Sequence, residues 1–299
     1  MLLEIKNLSV EYWRGKTKIP AVKNVSLNLE SGETVGIAGE SGSGKSTLAL
    51  SILKLIPEKE GKINSGTISF KGRNLSALSR EEIRKIRGKE IGMIFQDPFS
   101  SLNPVIKIGK QIEEAILAHN ENLKPKELKE ISFKFLEQVR LKDLERIYHS
   151  YPHQISGGQR QRVMIGMAIA NHPQLLICDE PTTALDVTVQ KEILDLLNHL
   201  KEELKMAILL VSHHFGIIAN YTTKLAVIYD GEIVEEGATN EILKNPQHPY
   251  TQSLLKSQPK KNSSEPMSSN SFPLLEVKNL SKRFPIERGI FKTPTSFRR

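Results

Sequence analysis

Cysteine is nearly absent from this sequence. The one thiol, Cys178, has no internal partner for a disulfide and cannot by itself hold a structural zinc or an iron–sulfur cluster, so a reducing compartment is expected. Long hydrophobic runs are missing too. The longest uninterrupted apolar stretch, 206–211, has six residues, and 163–170, which includes a glycine, has eight. A bilayer-spanning helix needs roughly 20, so no membrane crossing is expected. The opening Met-Leu-Leu-Glu-Ile-Lys has an acid at position 4 and no apolar core of signal-peptide length, so no export signal is expected. A basic stripe is also lacking, although the net charge is +8. Residues 256–299 hold ten Lys/Arg against three Asp/Glu, which leaves the other 255 residues at +1. The basicity belongs to a tail without aromatic interleaving. It reads as a solvated linker, and no nucleic-acid partner is expected.

What is present is organised in units. Residues 257–273 contain six Ser, three Pro and two Asn among 17 positions, a composition that builds no core and marks a linker. Directly after it, Leu274-Leu275-Glu276-Val277-Lys278-Asn279-Leu280-Ser281-Lys282-Arg283-Phe284 repeats residues 2–12 at an offset of 272, with seven of 11 positions identical. The expected organisation is one domain over 1–255, a Ser/Pro-rich linker over 256–273, and the truncated start of a second, similar domain over 274–299, opening with a strand. Within the first domain, Val35-Gly36-Ile37-Ala38, Leu175-Leu176-Ile177-Cys178, 207–211 and 225–228 read as buried strands alternating with helices. That pattern predicts an α/β fold with a mostly parallel sheet. Residues 108–117 and 128–139 are amphipathic without strand-like runs, which suggests an inserted helical subdomain at about 97–160.

Three segments carry chemistry. Gly39-Glu40-Ser41-Gly42-Ser43-Gly44-Lys45-Ser46-Thr47 follows a buried strand and precedes the apolar stretch 48–55. This is the glycine loop whose backbone N–H groups, helix N-terminus and lysine cradle nucleotide phosphates, with the Ser46 hydroxyl offered to Mg2+. Next, Leu175-Leu176-Ile177-Cys178-Asp179-Glu180 ends a strand in two carboxylates, where ligands of open α/β sheets bind. Asp179 would face the magnesium through a water, and Glu180 would polarise the water attacking the γ-phosphate. Finally, Ser156-Gly157-Gly158-Gln159 places a serine at the N-cap of a helix running toward Ala170, a second anion-binding helix start.

With Ile155 ahead of it, that last segment resembles the signature motif of ABC transporter ATPases, with Ile where the family usually has Leu. The resemblance covers residues 2–255 in the family's motif order: the glycine loop, Gln96 in Ile94-Phe95-Gln96-Asp97-Pro98, the signature, the Asp179-Glu180 strand end, Ala184-Leu185-Asp186, and His213. It implies a P-loop NTPase fold of the ABC type and Mg2+-dependent hydrolysis of ATP. Tyr12 would stack on adenine. Gln96 would reach the magnesium and the attacking water, and His213 would contact the γ-phosphate, although His214 stands where the family more often has Asp. Asp186 would join the nucleotide-binding set. One chain then holds an incomplete site: Ser156, Gly157, Gly158 and Gln159 of a second ATPase would close over the nucleotide held by Lys45.

Three stretches narrow the resemblance to the oligopeptide, dipeptide and nickel importers. They are Gln96-Asp97-Pro98-Phe99-Ser100-Ser101-Leu102-Asn103-Pro104, Thr183-Ala184-Leu185-Asp186-Val187-Thr188-Val189-Gln190, and Asn245-Pro246-Gln247-His248-Pro249-Tyr250-Thr251-Gln252-Ser253-Leu254-Leu255. The implied setting is the cytoplasmic face of a cell membrane, peripherally bound. The implied partners are a second ATPase, two permeases and an extracytoplasmic solute-binding protein. A nickel importer of the same branch and a soluble ABC protein without permeases are the alternatives.

Overall fold

The computed structural model describes residues 1–15, 17–97, 101–183, 185–256, 275–281, 284–285 and 297–298. It falls into two units, Met1–Gln258 and Pro259–Arg299.

The first unit opens with β1 (Leu3–Arg14) and β2 (Thr17–Leu29), continues through β3 (Thr34–Ala38) and α1 (Lys45–Ile52), and returns through β4 (Gly61–Phe70) and β5 (Arg73–Asn74). Strands β2-β1-β4-β5 form an antiparallel sheet in that order. Then come α2 (Arg80–Ile86), β6 (Ile91–Ile94), and the helices α3 (Ile108–Leu117), α4 (Pro125–Gln138), α5 (Leu144–His149) and α6 (Gly157–Ile169). Strand β7 (Leu175–Asp179), α7 (Val187–Leu204), β8 (Ala207–Ser212), α8 (Phe215–Tyr221), β9 (Lys224–Tyr229), β10 (Glu232–Ala238), α9 (Thr239–Lys244) and α10 (Pro249–Lys256) complete it.

The second sheet runs β10-β9-β3-β8-β7-β6; all its neighbours are parallel except the β10 edge. Its central strands β3, β7 and β8 are buried at every position because both faces are covered. Successive side chains leave a strand on opposite faces. Leu175 and Ile177 of β7 therefore join Ile5, Ile37, Phe70 and Leu209 in the core between the two sheets. Leu176 and Cys178 join Ile112, Phe135, Val163 and Ile193 in the core beneath the helices. Full burial of such side chains contributes about 1.5–3 kcal/mol each.

The expected elements lie close to where the sequence put them, with instructive offsets, but the antiparallel sheet β2-β1-β4-β5 was not among them. The helix after the glycine loop begins at Lys45 and ends at Ile52, three residues before the apolar stretch does. Helix α4 starts three residues before its apolar stripe because Pro125 occupies the first turn and the Glu127 side chain accepts from the Lys124 N–H.

In the second unit, the described residues 275–281 of the repeated segment do not form the expected strand. Residues 275–280 have no strand structure, and Leu275, Val277 and Leu280 are exposed. Strand β1 is paired along both edges, by β2 and β4; a copy without such neighbours leaves its N–H and C=O groups unpaired. Two-residue strands, β11 (Phe284–Pro285) and β12 (Phe297–Arg298), pair antiparallel. The linker composition of 257–273 falls outside the described residues, as do positions 98–100 and 184 of the quoted motifs.

Candidate nucleotide site

The chain leaves β3 at Ala38 and turns at once through Gly39–Thr47 into α1. Two glycines are dictated by geometry. Gly44 has φ 105°, and a Cβ there would stand 2.3 Å from the Ala21 carbonyl oxygen. At Gly39 a Cβ would meet the Ile228 carbonyl oxygen, also at 2.3 Å. Both distances are far inside van der Waals contact. Ser41 and Gly42 are exposed at the tip of the loop, and Thr47 is half-buried in the first turn of α1.

Inside the loop, Ser43 Oγ is buried without a hydrogen-bond partner among the described atoms. Lys45, only 4% exposed, donates from Nζ to the Glu40 carbonyl oxygen at 2.6 Å. Burial lowers the pKa of the Lys45 ammonium, against the opposing pull of Glu180, Asp179 and Glu40. With the free N–H groups of the first turn of α1, these donors match an anion of the size of a phosphate chain.

Two carboxylates arrive from the next strand but one. Asp179, the last residue of β7, is buried and accepts from Ser46 Oγ at 3.0 Å. Burial raises its pKa, and the Glu180 charge adds to this, against the Ser46 hydrogen bond and the Lys45 charge. Glu180 stands in left-handed backbone, φ 48°, with its N–H on the Val211 carbonyl at 3.0 Å. A non-glycine residue held there costs about 1–3 kcal/mol, and the kink turns its carboxylate toward three donors. Oε2 accepts from Gln96 Nε2 at 3.1 Å and from Thr183 Oγ1 at 2.9 Å, while Oε1 lies 2.9 Å from His213 Nδ1. Burial pushes the Glu180 pKa up, yet the hydrogen bonds from His213 and Thr183, with the charges of His213 and Lys45, outweigh it. The net pKa lies below the usual glutamate range, so the carboxylate is ionised at neutral pH.

The structure thus gathers Lys45, Ser46, Gln96, Asp179, Glu180 and His213 around one point at the carboxyl edge of the parallel sheet. Gln96 comes from just beyond β6 and His213 from just beyond β8. The His213 ring lies 4.0 Å, centroid to centroid, from that of His214, whose pKa is lowered by burial and by His213. Thr183 escaped the sequence reading. Its N–H also meets the Glu180 carbonyl, closing a tight turn that the sequence does not distinguish.

Other expected residues stand elsewhere. Tyr12 is half-buried on β1, opposite Ile19 and Gly61. Ser156 caps α6, accepting from the Gln159 N–H while the Gln159 side chain accepts from the Ser156 N–H. A Cβ added at Gly157 would face Leu185, and one at Gly158 would face Val189. Asp186 caps α7 through the Val189 N–H at 3.0 Å.

The raised pKa of Asp179 makes a stability prediction. A carboxyl whose folded pKa lies above its unfolded one stabilises the fold below the unfolded value and loses that contribution as pH rises through the folded value. Asp179→Asn is therefore expected to raise the nucleotide-free Tm at pH 7, by about 2–4 °C per kcal/mol relieved, and to lose this advantage below the ordinary aspartate pKa. The same variant should lose the Mg2+ dependence of ATP binding. Thermal unfolding at pH 7 and pH 3.5, with a binding titration, checks both.

Residues 22–183 match the ABC transporter family. This chain belongs to it. Within the family, residues 234–278 of this ABC protein match the C-terminal region of oligopeptide/dipeptide transporters. It is 46% identical over 258 residues to the Oligopeptide transport ATP-binding protein OppD of Bacillus subtilis strain 168, covering 86% of this chain and 72% of the relative. It is 47% identical over 263 residues to the Dipeptide transport ATP-binding protein DppD of Lactococcus lactis subsp. cremoris, covering 88% and 75%. Among solved structures, the ABC protein resembles a dimeric ATP-binding cassette in a post-hydrolysis state bound to ADP and Pi. The TM-score is 0.71 and the identity 32%, covering 80% of this chain and 99% of that one. The expected α/β P-loop fold of the ABC type is the fold found.

Proposed function

We propose that this chain is the ATP-hydrolysing subunit of an importer of di- or oligopeptides, peripheral on the cytoplasmic face of a cell membrane. The observation that carries the reading is the Glu180 carboxylate held by Gln96, Thr183 and His213 beside the Lys45–Ser46–Asp179 cluster. The names of the relatives and the match over 234–278 support peptides as the solute.

The loop amides and the start of α1 bind the phosphates of ATP. Lys45 gives up its contact with the Glu40 carbonyl and moves its charge to the outer phosphates. Glu180 accepts a proton from the attacking water, and its three donors hold it at the angle this requires. His213, through its other ring nitrogen, and Gln96, through its amide oxygen, are proposed to meet the γ-phosphate and the attacking water while still holding Glu180. Ser46 Oγ and Asp179 Oδ1, hard oxygen atoms 3.0 Å apart, fit a magnesium ion, which would neutralise and orient the phosphates. Tyr12 is proposed to stack on adenine.

The signature residues Ser156, Gly157, Gly158 and Gln159 lie apart from these groups, which supports a second ABC ATPase closing head to tail, with Asp186 at that junction. Two permeases and an extracytoplasmic binding protein complete the assembly. An apolar groove of about 310 Å³, lined by Leu55, Met93, Phe95, Leu102, Met164 and Met167 among others, supports the seating of a permease helix.

The test is the full chain purified with its companion ATPase and permeases. Mg2+-dependent ATP hydrolysis with uptake of a labelled di- or oligopeptide is expected. An assembly that hydrolyses ATP without moving any peptide would remove the solute assignment, and one without affinity for Mg–ATP would remove the whole reading.

A further inference from the structure

The His-Pro-Tyr segment stands apart from the catalytic cluster in sequence, yet it reaches the loop that holds the phosphates. Tyr250, in the first turn of α10, accepts at its hydroxyl a hydrogen bond from the Glu40 N–H, 2.9 Å long and spanning 210 residues. The other main-chain group of Glu40, its carbonyl, is the one that receives Lys45 Nζ. The second residue of the loop is thus held from both sides, by Tyr250 and by the phosphate-seeking lysine. One residue earlier, Gly39 is pressed against the Ile228 carbonyl. The next residue on that strand, Tyr229, packs its ring on Tyr250 at a centroid distance of 4.2 Å.

The tyrosine is itself fixed by a compact turn. Glu235, on β10, accepts from the Gln247 N–H at 2.8 Å and from the His248 N–H at 3.1 Å. His248 Nδ1 accepts from the Tyr250 N–H at 3.2 Å, and Gln252 Nε2 donates to the Pro246 carbonyl at 3.0 Å. Each residue type has a role: the histidine caps the N–H of Tyr250, the proline starts the helix, and the tyrosine carries a polar tip on a rigid ring. The ring is half-buried against a cluster that includes Ala38, the last residue of β3 before the loop.

We propose that Tyr250 is a positioning residue for the phosphate loop: through Glu40 it sets where Lys45 waits and so how readily the loop accepts a nucleoside triphosphate, and Glu235 acts through it. The inference rests on reading 39–47 as the nucleotide cradle. It assigns the C-terminal segment a task at the nucleotide site, with no contact to substrate.

Tyr250→Phe keeps the ring and removes the hydroxyl, which tests this in the full chain. Two readouts are expected to move. The Glu40 amide should exchange its hydrogen at least about tenfold faster in nucleotide-free protein, because its acceptor is gone. The Kd for Mg–ATP should rise about three- to tenfold, the range for one neutral hydrogen bond, while the nucleotide-free Tm falls by no more than about 6 °C, the most that loss of one such bond gives. Glu235→Ala should weaken binding in the same direction, and the double variant should bind no worse than the weaker single one, because both act through one contact.

Unchanged Glu40 exchange, a Kd within twofold of the parent, or additive losses in the double variant would each overturn the proposal while leaving the nucleotide site intact. A loss of affinity with a fall in nucleotide-free Tm of more than about 6 °C, beyond the loss of one hydrogen bond, would reduce Tyr250 to a packing residue and overturn it too. A parent chain that binds no Mg–ATP would remove the cradle and this proposal together.

Discussion

Glu180→Gln is expected to bind Mg–ATP at least as tightly as the parent and to hydrolyse it about 10²–10⁴-fold more slowly. The substitution preserves length and leaves the left-handed backbone at φ 48° anchored through the Val211 carbonyl. It removes the negative charge and the proton acceptor. The low pKa of Glu180 means the parent carries a full charge at neutral pH, so the variant relieves repulsion with an arriving triphosphate. The amide has one acceptor oxygen where three donors converge, from Gln96, Thr183 and His213. Their orientation therefore loosens, and water activation fails for both reasons. Single-turnover hydrolysis beside a binding titration checks this. Turnover equal to the parent would dismiss Glu180 as the base, and lost binding would place it in the cradle instead.

Lys45→Ala is the second large effect. A buried ammonium that reaches phosphate oxygens makes charge-assisted bonds worth about 3 kcal/mol, or roughly 100-fold in affinity. The loss should be larger than at any single backbone contact, because Lys45 is the lysine whose charge acts on both Asp179 and Glu180. Thermal shift reads it directly. At an ATP concentration 100 times the parent's Kd, the parent gains about 2.7 kcal/mol of stability, whereas a variant weakened 100-fold gains about 0.4 kcal/mol. A variant stabilised as much as the parent would refute the cradle assignment.

The cluster around Glu180 was legible one motif at a time. The glycine loop could be read because Gly44 and Gly39 occupy positions where a Cβ collides with Ala21 and Ile228, so the spacing of glycines records the shape of the turn. The acid pair could be read because it ends a stretch buried on both faces. Thr183 was not legible, since nothing in Pro181-Thr182-Thr183 separates a hydroxyl that aims at Glu180 from one that faces water. The left-handed backbone at Glu180 was hidden for the same reason: its cause is the Val211 carbonyl on a neighbouring strand. The likeness of 274–284 to β1 was real as sequence, yet residues 275–280 form no strand, because strand structure depends on pairing and they have no paired neighbour among the described residues.

By itself the sequence determined the order of the elements, the phosphate loop, the pair of acids at a strand end and the cap at Ser156. All of these are written in local spacing and in the alternation of apolar and polar residues. Tertiary structure alone decided which distant side chains meet. The order β10-β9-β3-β8-β7-β6 sets β9 beside β3, so that Glu40, Tyr229 and Tyr250 come together, and β8 beside β7, so that His213 reaches Glu180. The physical reason is that hydrogen bonds and ring contacts form across strand neighbours, and strand neighbours are chosen by the burial of whole sheet faces rather than by any short stretch of chain.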